Sequence, residues 1–144
     1  DTKVTNTSFY GIWKNYGLGV TQMSYKTKST TKNEYEMTNS TMDFSYTYEE
    51  DWTVTVGFGN VSGGNGTITL SSSGTKYKTD SVSGFGIFGI VGKEWEHYEG
   101  LVGLRFNSFK YSGFQSQSTL QIDTIDETYI VCGFQLMFGV GVSF

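Results

Sequence analysis

The chain has 144 residues, enough for one domain, and a net charge of −4 with only 17% charged residues. It holds no lysine- or arginine-rich block, so a nucleic-acid partner has no electrostatic support. With 3 Trp, 10 Tyr, 11 Phe, no proline and one cysteine, the composition excludes disorder, an internal disulfide and a cysteine-based zinc site.

No run approaches the ~18 consecutive apolar residues of a spanning helix. The mean hydropathy is −0.29, which a soluble protein and a membrane barrel share, because only alternate barrel residues face lipid. No segment carries a helical period. Residues 1–14 are expected as an N-terminal segment ahead of the strands, within a single domain spanning 1–144. The chain starts at Asp1 without a signal peptide, which fits a cytosolic protein lacking its Met or a mature secreted one, and the second is preferred.

Alternation begins after that segment. Tyr16, Leu18 and Val20 alternate with Asn15, Gly17, Gly19 and Thr21. A polar connection follows at about 26–34. Met42, Phe44, Tyr46 and Tyr48 then alternate with Thr41, Asp43, Ser45 and Thr47, and Trp52, Val54, Val56 and Phe58 with Thr53, Thr55, Gly57 and Gly59. "EED" (49–51) is a tight turn between them. A long polar stretch, about 60–80, contains a weaker strand near 66–72. Residues 82–92, "VSGFGIFGIVG", are apolar on both parities, so their facing stays open. "KEWE" (93–96) is the second tight turn. Tyr98, Val102, Leu104 and Phe106 alternate with Glu99, Gly103, Arg105 and Asn107. A last polar stretch, about 111–128, holds another weak strand near 114–122. Ile130, Cys132, Phe134, Leu136, Phe138, Val140, Val142 and Phe144 then share one parity, with Gln135, Gly139 and Gly141 on the other. A side-chain period of two reads as strand throughout. Counting the weak segments gives eight strands, with six long strands as the rival.

Tyr48 and Trp52 flank one tight turn, and Trp95 and Tyr98 the other. A bilayer interface favours amphipathic aromatics at strand ends. The apolar runs between them, about nine to eleven residues long, match a tilted bilayer span. The competing architecture is a soluble, lipocalin-like ligand-binding barrel with those aromatics inside. Against it, the second parity is Gly, Ser, Thr, Asn and Gln rather than charge, which suits a narrow lumen packed by side chains.

"FGVGVSF" (138–144) resembles the C-terminal signal read by the bacterial barrel-assembly machinery, with Gly139, Val142 and Phe144 on its pattern. Met137 departs, since a polar residue is common there. "YTYEEDW" (46–52) resembles the first periplasmic turn of the OmpX/Ail family of small outer-membrane proteins, and "GFGIFGIVGKEWEHYEGLVGLRF" (84–106) resembles that family's central strand–turn–strand. The resemblance covers roughly a third of the chain. It implies an all-β, antiparallel up-and-down transmembrane β-barrel in the bacterial outer membrane, contacting outer-membrane lipid and lipopolysaccharide. It implies a non-enzymatic role in surface interaction, adhesion or envelope integrity.

Little in the sequence points to catalysis. His97 is the only histidine. Outer-membrane lipid A deacylases use a Ser–His–acid set on a similar fold, so a lipid-modifying enzyme is the third reading, with Glu96 and Glu99 nearby in sequence. Its place beside a tight turn fits an exposed histidine better. Asp43, Glu99 and Arg105 share the inner parity and are expected as a lumenal ion-pair cluster, because charge in a narrow lumen must pair to offset desolvation. No cofactor is expected, and no metal site: "DTIDE" (123–127) lacks the full pattern of a calcium loop. Cys132 falls on the lipid-facing parity as a small hydrophobe. The Ser-, Thr-, Asn- and Gly-rich loops offer surface for an extracellular ligand without naming one.

Overall fold

A computed structural model describes residues 2–117 and 124–142. Ten strand segments and no helix occur among them: β1 (Thr2–Trp13), β2 (Tyr16–Lys28), β3 (Glu34–Glu49), β4 (Thr53–Thr69), β5 (Lys76–Thr79), β6 (Ser81–Trp95), β7 (Tyr98–Ser112), β8 (Phe114–Ser116), β9 (Thr124–Ile125) and β10 (Tyr129–Val142). Every pairing is antiparallel. The long strands follow the order β1-β2-β3-β4-β6-β7-β10. β5, β8 and β9 prolong β6, β7 and β10 at one end, where they pair in the order β4-β5-β8-β9. The sheet curls into a half-barrel whose edges are β1 and β10.

The all-β antiparallel expectation holds, but the strand count does not. Among the described residues there are seven long strands, neither eight nor six. Residues 66–69 are the far end of β4, and 114–116 prolong β7. Thr2–Trp13, expected outside the sheet, pairs residue for residue with β2. Its first half carries Lys3, Thr5 and Thr7 on one face and Asn6 and Ser8 on the other. Without apolar contrast, alternation left no signal.

The two ends differ. One carries the tight connections at 14–15, 50–52 and 96–97; the other carries 29–33, 70–75 and the link after 116. Trp13-Lys14-Asn15-Tyr16 and Trp95-Glu96-His97-Tyr98 share the pattern Trp-x-x-Tyr and one geometry. Trp pairs with Tyr across each turn, and Lys14 and Glu96 take left-handed φ of 56° and 57°. Left-handed backbone at the first turn residue suits a two-residue hairpin, whose twist then matches its strands.

Facing follows the sequence parity. Phe134, Leu136, Phe138, Val140 and Val142 point outward and are exposed, as are Leu18, Phe44, Val56, Phe58 and Leu104. The open segment 82–92 is settled: Gly86, Phe88 and Gly92 turn inward, Phe85, Ile87 and Val91 outward. Toward the loop end the facing changes on three neighbouring strands. Two consecutive residues face outward at Ser62–Gly63, Asp80–Ser81 and Ser112–Gly113, and inward positions resume at Gly64, Val82 and Phe114. The first is a bulge opposite Ser40 and Thr41, where one extra residue bends the strand. Gly113 has φ 68°, which glycine adopts without strain.

These switches position the interior core. On the loop side Met23, Met37, Ile68, Tyr77, Phe109, Tyr111 and Phe114 pack into one buried cluster. The sequence reading had this inner face uniformly small and polar. On the turn side small and polar residues dominate, with buried Thr47 and Thr55 exchanging a hydroxyl hydrogen bond of 2.8 Å, but Phe88, Ile90 and Leu101 also face inward there.

Candidate functional site

Between these two halves lies a layer of buried polar side chains. β7 turns Arg105 inward and β3 turns Asp43 to meet it; both side chains are 0% exposed. Arg105 Nη1 donates to Asp43 Oδ2 at 2.6 Å and Nη2 to Oδ1 at 2.8 Å. This two-pronged geometry is the strong form of a charge-assisted hydrogen bond. The remaining valences are filled. Nε donates to Asn107 Oδ1 at 2.7 Å, and Nη2 also donates to Thr41 Oγ1 at 2.9 Å. Asp43 accepts from Thr21 Oγ1 at 2.6 Å, Thr41 Oγ1 at 2.9 Å and Tyr10 OH at 2.9 Å. The guanidinium carbon stands 5.3 Å over the Phe88 ring.

Glycines make room for this layer. A Cβ on Gly59 would come within 2.7 Å of Arg105 Nη2; one on Gly86 would lie 2.5 Å from Asn107 Oδ1 and 2.8 Å from Arg105 Nη2. The pair closes only because β4 and β6 present no side chain there. Glu99, expected in the same cluster, stands apart toward the turn end, against Gly92 and Gly141. Its Oε1 is buried and has no hydrogen-bond partner among the described residues. The cluster is therefore Asp43–Arg105, without Glu99 and with Tyr10, Thr21, Thr41 and Asn107 added. Thr21, Thr41 and Asn107 sit on the same small polar parity as the charges, which is the signal that marks them. Tyr10 lies in the strand that alternation missed.

Outside, an apolar belt surrounds this layer. Tyr48, Trp52, Trp95 and Tyr98 are exposed at its turn-end rim. Trp13 and Tyr16 join them there, and the ammonium groups of Lys14 and Lys93 each lie 4.8 Å from a ring centroid, of Trp13 and Trp52 respectively. Tyr48 OH also donates to Glu50. On the loop side the outward rows turn polar: Thr5 and Thr7, Gln22 and Ser24, Thr38 and Ser40. There they line a groove of about 670 Å³.

The other expected residues fall as follows. Gly139 faces inward and Val142 outward on β10; Phe144 lies outside the described residues. His97 is exposed in its two-residue turn. Cys132 is exposed on the outer face, its Sγ 3.3 Å from Ser108 Oγ. Among the described residues no three His, Cys, Asp or Glu side chains gather as metal ligands; Asp123 of "DTIDE" lies outside them. Chemically, the buried layer can lock strands together and block passage. Comparison with protein families, curated proteins and solved structures returns no match.

Proposed function

We propose that this chain is an integral outer-membrane β-barrel protein, non-enzymatic, with a side-chain-filled lumen and a role in surface interaction or envelope integrity. One observation carries the reading: large apolar side chains stand exposed around the outside while a charged pair is sealed within. A soluble barrel has the opposite arrangement. Phe134, Phe138 and Val140 are 80%, 78% and 76% exposed, and contiguous apolar surface on this scale marks a membrane or partner contact. Lipid in place of water removes that exposure, worth about 1.5–3 kcal/mol for each large side chain.

The rim supports the same reading. Trp and Tyr beside lysines at one end suit a headgroup layer, where the ring stays apolar and the ammonium reaches phosphate. The polar groove on the loop side would stand beyond the hydrocarbon, available to polysaccharide or another neutral polar ligand. The test is electrophoretic. A membrane barrel resists detergent until boiled, so the unboiled protein should migrate faster than the boiled one and should need detergent to stay in solution. A protein that remains monomeric in buffer without detergent, with one mobility before and after boiling, refutes the proposal and returns the lipocalin-like reading.

A further inference from the structure

We infer that the seam between β1 and β10 is a docking site for one further strand, an extended polypeptide segment outside residues 1–144 that enters antiparallel to both edges. Among the described residues β1 pairs only with β2, and β10 only with β7. Each therefore presents a row of unpaired N–H and C=O groups, which are templates for strand addition.

Strand direction selects the occupant. Seven long strands alternate in direction, so the first and last run the same way, both from the loop end to the turn end. Direct closure would need a parallel ladder, which is slightly less stable per residue. One intervening strand is antiparallel to both, like every other neighbour in this sheet. A second copy of this chain in the same orientation offers edges running the same way and brings the parallel problem back.

The side chains beside the seam agree. Asn6 of β1 and Gln135 of β10 meet across it on the inner side, Nδ2 to Oε1 at 2.5 Å. The five most exposed large apolar residues, Phe134, Phe138, Val140, Phe9 and Trp13, all stand on the two flanking strands. Gly11 and Gly133 have nothing within 4 Å of where a Cβ would lie. The segment that fits is about ten residues long, apolar on alternate outward positions and small or polar on inward ones, beside Asn6, Ser8 and Gln135. The inference stands on edge geometry. The membrane reading adds that hydrocarbon tolerates no open edge, but is not required.

Cys132, on the outer face of β10 near the loop end, reports the direction of entry. The probe is a synthetic peptide with the β2 sequence, residues 16–28, which already pairs antiparallel with β1. One version carries an added cysteine at its C-terminus, the other at its N-terminus, each activated as a 2-thiopyridyl disulfide. Cys132 thiolate attacks the peptide sulfur, the new disulfide forms and pyridine-2-thione leaves, so no oxidant is needed. With the full chain in detergent micelles, antiparallel entry sets the peptide C-terminus beside Cys132. That version should react at least about tenfold faster, through the raised local concentration of a docked thiol, and give a one-to-one adduct. Hydrogen exchange should show β1 and β10 edge amides becoming protected when the peptide is added. Equal rates for both versions, a faster N-terminal version, or no adduct while a small thiol reagent still labels Cys132 would overturn the inference. So would edge amides already protected in the chain alone, or a dimer in place of the adduct. Solubility without detergent would refute the membrane reading alone, leaving the rate contrast to judge the seam.

Discussion

Replacing Arg105 by alanine tests the buried layer most directly. Arg105 makes six hydrogen bonds, two of them to Asp43. Its removal leaves a carboxylate that is 0% exposed. Breaking a buried pair from one side typically costs about 3–5 kcal/mol, because the other charge stays desolvated. Here Tyr10, Thr21 and Thr41 still donate to Asp43, so the loss should sit near the low end, about 3 kcal/mol. Asp43→Leu alone should cost about the same, since the guanidinium keeps only neutral acceptors. The double variant, Arg105→Ala with Asp43→Leu, should lose about 2 kcal/mol less than the two losses added, the signature of residues in direct contact. The assay is urea unfolding of the refolded protein in detergent micelles, followed by tryptophan fluorescence, with slopes compared to confirm that the same surface is exposed. A loss below about 1 kcal/mol for Arg105→Ala, or strict additivity in the cycle, would mean the pair is solvated and the layer is no seal.

Three further outcomes follow from the same geometry. Gly86→Ala should cost about 1–3 kcal/mol by overpacking, because the added methyl meets Asn107 and Arg105, whereas Gly63→Ala, with nothing within 4 Å, should change little; equal effects in unfolding would refute the close approach. Leu136→Arg should destabilise the protein in lipid by about 2–4 kcal/mol and Ile130→Arg, nearer the loop end, by about 0–1. Depth-independent losses in vesicle unfolding would contradict the belt. Glu99→Gln should leave stability unchanged or raised at neutral pH, because Oε1 is buried without a partner; a loss above about 1 kcal/mol in thermal unfolding would reveal a contact to that carboxylate.

Much of the facing was legible because one residue type per parity suffices to mark it. Met42, Phe44 and Tyr46 against Thr41, Asp43 and Ser45 assign both faces of β3 without any tertiary information. The ion pair was half legible: parity put Asp43, Glu99 and Arg105 on one face. Which carboxylate meets Arg105 depends on height along the barrel, and Glu99 lies six residues closer to the turn end on the same strand. β1 was invisible because neither of its faces is apolar over its first half. The continuity of β4 through Ser62–Gly63 and of β7 through Ser112–Gly113 was hidden for another reason. A serine–glycine pair inside a strand spells the same letters as a loop.

The paired outward residues in those strands also govern which changes of length the chain tolerates. A strand keeps a facing frame in the way a message keeps its reading frame, and losing one residue inverts everything downstream until the next turn. Ser62–Gly63, Asp80–Ser81 and Ser112–Gly113 are points where the frame is deliberately advanced by one. Deleting Ser62, the extra residue of the bulge, would join Val61 to Gly63 in a regular ladder and leave Ile68, now 1% exposed, facing inward, whereas deleting Asn65 would drive Ile68 to the outside while Thr67 and Thr69 turned into the cluster. An indel on the loop side of the three switches disturbs only the few residues before 70–75 or 117. The same indel in β7 before Arg105 turns Arg105 out into the apolar belt and its outward neighbours into the interior. Length variation in descendants of this sequence should therefore gather on one side of that line.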